Sequence, residues 1–171
     1  MRSALLGVLA VGLGIASAQD ARETKPYVTL AGAASRITAK EYDRITAQDE
    51  LVKVWLRHVG VNPARHTDFH NEAGVPGVDF ERCMVVAVFG GECINSAGIH
   101  VVSIAEEADR VLLRFDHRSF QSGPEGDRAT PFGFFFVPRS PKALVLEENV
   151  QNLIGGEPKW KERARFEAMG K

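Results

Sequence analysis

Cysteine is scarce in this 171-residue chain, with only Cys83 and Cys93 present, and so are large aromatics other than phenylalanine: two Trp and two Tyr stand against ten Phe. A scaffold stapled by several disulfides is excluded, so stability has to come from an apolar core. Neither sign of charge dominates, the formal net charge being −1. No basic cluster exceeds the short "KWKERARF" segment near the end, so there is no electrostatic footprint for nucleic acid or an anionic membrane. Beyond residue 18 no apolar run nears the roughly 20 residues a membrane span requires. Catalytic and cofactor motifs are missing too. Ser96 in "INSAG" lacks the strand-turn-helix setting of a nucleophile elbow, and Cys93 has no histidine fixed beside it by spacing, His100 lying further along the chain.

What is present begins with Arg2, an uncharged apolar run over 5–15 and Ala16-Ser17-Ala18 before Gln19. A short positive end, a brief apolar core and small residues at the cut predict a secretory signal peptide over 1–18. The expected product is a 153-residue chain, periplasmic or extracellular, with no membrane span after cleavage. Without Arg2 it carries 20 basic against 22 acidic residues. No cysteine follows the cut, which argues against lipid attachment there.

The polar stretch 19–29 reads as a flexible N-terminal segment. Residues 30–155 read as one β-rich domain containing a helix at 47–58, where Leu51, Val54, Trp55, His58 and Val59 recur at helical spacing and Gly60 stops the run. Thr46 and Asp49 have the spacing of a capping box at its start. Apolar runs of strand length follow at 83–89, 98–105, 111–117, 132–137 and 143–146, separated by Gly, Pro, Asp and Ser clusters without helical period. That order predicts an antiparallel meander in an α+β domain, a mostly antiparallel sheet or sandwich with one packed amphipathic helix. Trp160, Ala164 and Ala168, four apart within 156–171, suggest a short C-terminal helix.

Residues 83–89 are apolar on both alternating faces, Val85, Ala87 and Phe89 on one and Met84, Val86 and Val88 on the other. Such a strand is central and covered twice. "PFGFFFVP" repeats the pattern, whereas Arg110, Arg114 and Asp116 alternate with Val111, Leu113 and Phe115 and give that strand one wet face. The segment "VDFERCMVVAVFGGECINSAGIHVVSI", residues 78–104, reads as a hairpin turning at Gly90-Gly91, with Cys93 opposite Val88. Six extended steps carry the chain about 20 Å beyond Cys83, and the next four residues return it by at most about 14 Å. An internal disulfide is thereby disfavoured against two free thiols or an intermolecular link.

Two loops on such strands are candidates for recognition. One is the hairpin tip, with Gly90, Gly91, Asn95, Ser96 and Gly98; the other is the polar loop 121–131, with Gln121, Gly123 and Asp127. The alternative is a metal site: in "HTDFH" the alternate residues His66, Asp68 and His70 would point the same way in an extended segment, a donor set suited to zinc or copper, with Cys93 or His100 as further ligands.

The segments at 78–104, "VLLRFD" and "PFGFFFVPRSPKALVLEE" resemble the protease complex subunit PrcB C-terminal domain family. The matching features are Asp79-Phe80 leading into the apolar strand, Gly90, Gly91 and Gly98 at the tip, and Pro138-Arg139 after the late strand. Upstream, "GAASRI" and "DRITAQDELVKVWLRHVG" are similar to the small-residue strand and tryptophan-bearing helix of exported bacterial relatives, and the resemblance spans about residues 30–147. Where relatives often carry Gly-Gly-Tyr, this chain has Ala97-Gly98-Ile99. The resemblance implies an extracytoplasmic accessory domain without catalytic residues or cofactor, whose partner is a protein and, by the family's name, a protease.

Overall fold

The computed structural model describes residues 22–62, 74–151 and 156–170. The candidate signal peptide and the His66, Asp68 and His70 cluster lie outside them. The described chain is an α+β fold of two facing sheets with one helix on the outside of the second. The first sheet has the order β1 (Arg22–Thr24), β6 (Ser96–Glu106), β7 (Arg110–Ser119), β10 (Ala143–Asn149), β11 (Trp160–Phe166). The second has the order β2 (Val28–Gly32), β9 (Phe132–Pro138), β4 (Cys83–Gly90), β3 (Lys40–Ile45). A two-stranded ribbon pairs β5 (Cys93–Ile94) with β8 (Arg128–Ala129), and the helix α1 spans Gln48–Val59.

The double-sided pattern of β4 decides where the layers go. Met84, Val86 and Val88 join Phe135 and Val137 in facing Ile99, Leu113, Phe115, Leu144 and Leu146 of the first sheet. On the reverse side Val85, Ala87, Phe89, Phe134 and Phe136 meet Leu51 and Val54 of α1, with Trp55 packed alongside. Each strand residue thus loses its apolar surface to one neighbour layer or the other, at roughly 25 cal/mol per Å². The Phe-rich strand is core on both faces. On β7 the sequence alternation also holds, Val111, Leu113 and Phe115 being buried while Arg114 pairs outward with Glu147 at 2.8 Å.

Helix α1 starts without a side-chain cap at Ala47. The Thr46 N–H instead donates to Glu50 Oε2 at 2.8 Å, so Glu50, one residue further on, takes the role expected of Asp49. Gly60, at φ 77°, closes the helix by donating to the Leu56 carbonyl, a left-handed stop that glycine adopts without strain.

Five expectations are corrected. Residues 83–104 are not a hairpin: β4 pairs with β3 and β9, while β6 pairs with β1 and β7. The chain crosses from one sheet to the other at 91–95, because β4 needs cover on both faces and neighbours inside its own sheet. Cys93 consequently lies opposite Ala129, not Val88. The meander is broken as well, since β10 runs parallel to β7. Of the stretch 19–29, expected to be loose, the described residues from Arg22 onward supply β1 and the start of β2, the latter held through Val28↔Phe136 and Thr29↔Phe135.

Finally, the C-terminal segment is a strand rather than a helix. A spacing of four brings residues to one face in either structure, and here Ala164 and Phe166 pack on the inter-sheet core. The register on β10 slips between Leu146↔Ala164 and Glu147↔Glu162, leaving Arg163 as an extra bulged residue. Trp160 is thereby thrown to the outer face, with the Arg114 guanidinium 5.1 Å from its ring centre.

Candidate functional site

The two loops singled out in the sequence come together at one end of the sandwich, and Asn95 joins them. Between β5 and β6, Asn95 adopts φ 57°, a left-handed conformation that asparagine tolerates better than most residues. Its N–H donates to the Asp127 carbonyl at 2.8 Å and its carbonyl accepts from the Phe120 N–H at 3.0 Å. Its side-chain Oδ1 accepts from Ser122 Oγ at 2.7 Å and from the Asp127 N–H at 2.8 Å. Cys93↔Ala129 and Ile94↔Arg128 complete the seam. Residues far apart in sequence therefore form one continuous surface on a rigid base.

The individual candidates divide in two. Gln121, Gly123 and Asp127 are exposed and Asn95 is partly so, while Gly90, Gly91, Ser96 and Gly98 are buried beneath the surface. Gly98, at φ 130°, lies so close to Gly32 that a Cβ would sit 3.1 Å from the Gly32 nitrogen. Its role is to let the two sheets touch at this corner. The sequence reading missed Ile94 and Phe120, which are 59% and 41% exposed beside Asn95, Ile94 preceding it in the chain and Phe120 bonded to its carbonyl. Large apolar residues within polar, glycine-rich segments were the available signal.

Beside this surface runs a groove made of two open depressions, about 470 and 520 Å³ in volume. Ala34 and Thr130 line both, and Arg128 and Cys93 belong to the first, Arg36 and Val59 to the second. The wall at 33–36 is pinned to Thr130: the Ser35 N–H donates to the Thr130 carbonyl at 3.0 Å, and Thr130 N–H to the Ala33 carbonyl at 2.8 Å. Behind it, His58 Nδ1 lies 2.9 Å from Ser35 Oγ, and the ring packs 4.1 Å from that of Phe132. Burial pushes the His58 imidazole below its ordinary pKa, as expected of a neutral ring in an aromatic cluster.

Under the loops lies a buried polar chain. Glu148, 5% exposed, continues the inward face of Leu144 and Leu146 and meets His117 Nε2 at 3.2 Å, Lys40 Nζ at 3.5 Å and Arg163 Nε. The bulge in β11 delivers Arg163 to this spot. Burial opposes ionisation of Glu148, but the His117 hydrogen bond and the charges of Lys40 and Arg163 outweigh it and hold the carboxyl at about 2. On the other side of the imidazole, His117 Nδ1 is 3.4 Å from Ser96 Oγ.

Serine, histidine and glutamate in series invite comparison with a nucleophilic triad. Here Ser96 is 2% exposed and its Oγ also lies 3.3 Å from the Gly98 carbonyl of its own strand. The hydroxyl is thus enclosed, and the chain of contacts ties β6, β7, β10 and β11 together. Cys93 lines the groove, yet burial raises its thiol pKa against the smaller pull of Lys40, the reverse of an activated nucleophile.

Both cysteines are free thiols. Cys83, at the far end of β4, donates to the Asp79 carbonyl. His100 stands on β6 opposite Asp116, and no group of three metal-ligating side chains occurs among the described residues. None of the described helices is long and apolar enough to cross a membrane.

Comparison of the chain with protein-family profiles, curated proteins and solved structures finds no match. The likeness to the PrcB C-terminal domain family rests on the sequence motifs alone.

Proposed function

We propose that this chain is an exported, non-enzymatic accessory module that presents the Asn95-joined loop surface to a protein partner, with an exported protease as the partner the family resemblance implies. The observation that carries the reading is the union of the two loops through Asn95, with Ile94 and Phe120 exposed beside it. Apolar side chains on loops anchored to a double sheet offer contact area at little ordering cost, and aromatic anchors of this kind commonly concentrate binding energy. The enclosed Ser96 and the raised pKa of Cys93 support a non-catalytic role. The signal-like segment 1–18 supports export.

The test is affinity capture from an extracytoplasmic extract with the wild-type chain and with Ile94→Asp and Phe120→Asp. One exported protein, retained by the wild type and lost by both variants at unchanged thermal stability, is the expected result. Identical profiles for all three proteins would refute the proposal.

A further inference from the structure

The groove beside the loop surface has features that specify what it takes. Arg36 and Arg128 line its two depressions, and neither guanidinium has an ion pair or hydrogen bond among the described residues. Elsewhere Arg57, Arg114 and Arg163 each hold a carboxylate. Among the described residues Glu92 is the only acidic side chain on the groove walls, against Arg36 and Arg128, so these walls carry a surplus of positive charge. Its floor and sides are small or apolar, from Ala33 and Ala34 to Ile94, Ala129 and Val59.

Ala34, where the depressions meet, adds a second kind of complementarity. It is bridged to Thr130 through the groups of its neighbours, Ala33 C=O and Ser35 N–H. Its own N–H and C=O make no hydrogen bond among the described residues, and in such a pairing they point away from Thr130. A main-chain donor and acceptor beside an alanine-floored trough suit an extended peptide, which bonds through its backbone and places alternate side chains in pockets. A small anion would use the arginines but not this edge. A drug-sized ligand needs more enclosure than two depressions open to solvent provide.

We infer that the groove binds an extended, acidic segment of a partner protein, its backbone paired with Ala34, its apolar side chains on the alanine floor and its carboxylates on Arg36 and Arg128. This rests on the reading of the chain as an interaction module and specifies the partner's chemistry. Cys93 in the groove wall is a built-in reporter of occupancy.

The test uses an array of octapeptides with glutamate or lysine fixed at alternate positions and Ala, Val, Leu or Thr varied between them. Protein carrying Cys83→Ser, with Cys93 as its one thiol, is applied to the array. The strongest ligand is then titrated by fluorescence anisotropy while the reaction of Cys93 with dithiobis(nitrobenzoate) is followed. Binding confined to glutamate peptides, weakened at least tenfold in the Arg36→Glu/Arg128→Glu variant at unchanged melting temperature, with Cys93 protected, is the expected result. No bound octapeptide, equal binding of lysine peptides, binding that survives the charge reversal, or an unprotected Cys93 would each overturn it. If Ile94→Asp abolishes partner capture while the double arginine variant captures normally, the loop reading stands and the groove inference falls.

Discussion

His117 lies directly over Gly90: a Cβ built on Gly90 would come 2.7 Å from His117 Cε1 and 2.8 Å from Pro131 Cγ. The imidazole that reaches Glu148 from β7 is thus seated on the end of β4, and the missing side chain is what brings the two sheets together there. Gly90→Ala is expected to displace His117 and cost about 1–3 kcal/mol by overpacking, read from urea denaturation. A variant as stable as the wild type would show that His117 has room to move.

Glu148 makes this end of the sandwich sensitive to acid. Its folded pKa, about 2, lies below its ordinary value of 4.5, so the native state binds fewer protons than the unfolded one between those values. The stabilisation is complete above about 4.5 and disappears as pH falls towards 2. Glu148→Gln is expected to lose roughly 3 kcal/mol at pH 7 and to flatten the pH dependence of stability across that window.

Asp43 has the opposite sign. Burial, then the neighbouring Glu41 carboxylate, raise its pKa from 3.8 to about 6, and its Oδ2 is buried with no hydrogen-bond partner among the described residues. The folded state therefore takes up a proton that the unfolded state releases. Its contribution is most favourable below 3.8 and is lost as pH rises through 6. Asp43→Asn is expected to raise stability at pH 7.5 by roughly 1 kcal/mol after allowance for solvent screening. Chemical denaturation at pH 4 and pH 7.5 checks this, the gain shrinking at the lower pH.

Asn95 can be dissected with two substitutions. Asn95→Gly keeps the φ of 57° and removes the side-chain bonds from Ser122 Oγ and the Asp127 N–H while keeping the backbone bond to the Asp127 carbonyl; Asn95→Ala also strains the backbone. Both are expected to speed amide exchange at Asp127 by tenfold or more, and Asn95→Ala to lose about 1 kcal/mol more stability than Asn95→Gly. Unchanged exchange would mean that the ribbon of Cys93–Ile94 with Arg128–Ala129 holds the loops without Asn95.

Elemental analysis after purification without chelators separates the metal alternative from the interaction reading. Less than a tenth of an equivalent of zinc or copper is expected. A full equivalent that disappears in His66→Ala would replace the interaction proposal with a metal centre at His66, Asp68 and His70.

For β4, β7 and β9, strand identity and strand facing were legible locally. Alternation assigned Met84, Val86 and Val88 to one side and Val85, Ala87 and Phe89 to the other, and the helical spacing of Leu51, Val54 and Trp55 marked the face that docks. Both signals depend on the geometry of a few consecutive residues. The candidate site was legible only as two separate loops, because nothing near Asn95 in sequence encodes its distance from Ser122 or Asp127.

By itself, then, the sequence determined the extended runs of β4, β7 and β9, the docking face of α1, and the need of β4 for cover on both faces, since a residue's preference for burial is written in its own side chain. Which strand provides the cover was decided by the tertiary structure. A twice-covered strand such as β4 accepts any neighbours that pair its backbone and bury its two faces: β3 and β9 pair with it, the first sheet covers one face and α1 the other, where a hairpin partner would have covered neither. The same global packing brought Asn95 to Asp127, aligned β10 parallel to β7, and turned 160–166 into an edge strand whose bulge aims Arg163 at Glu148.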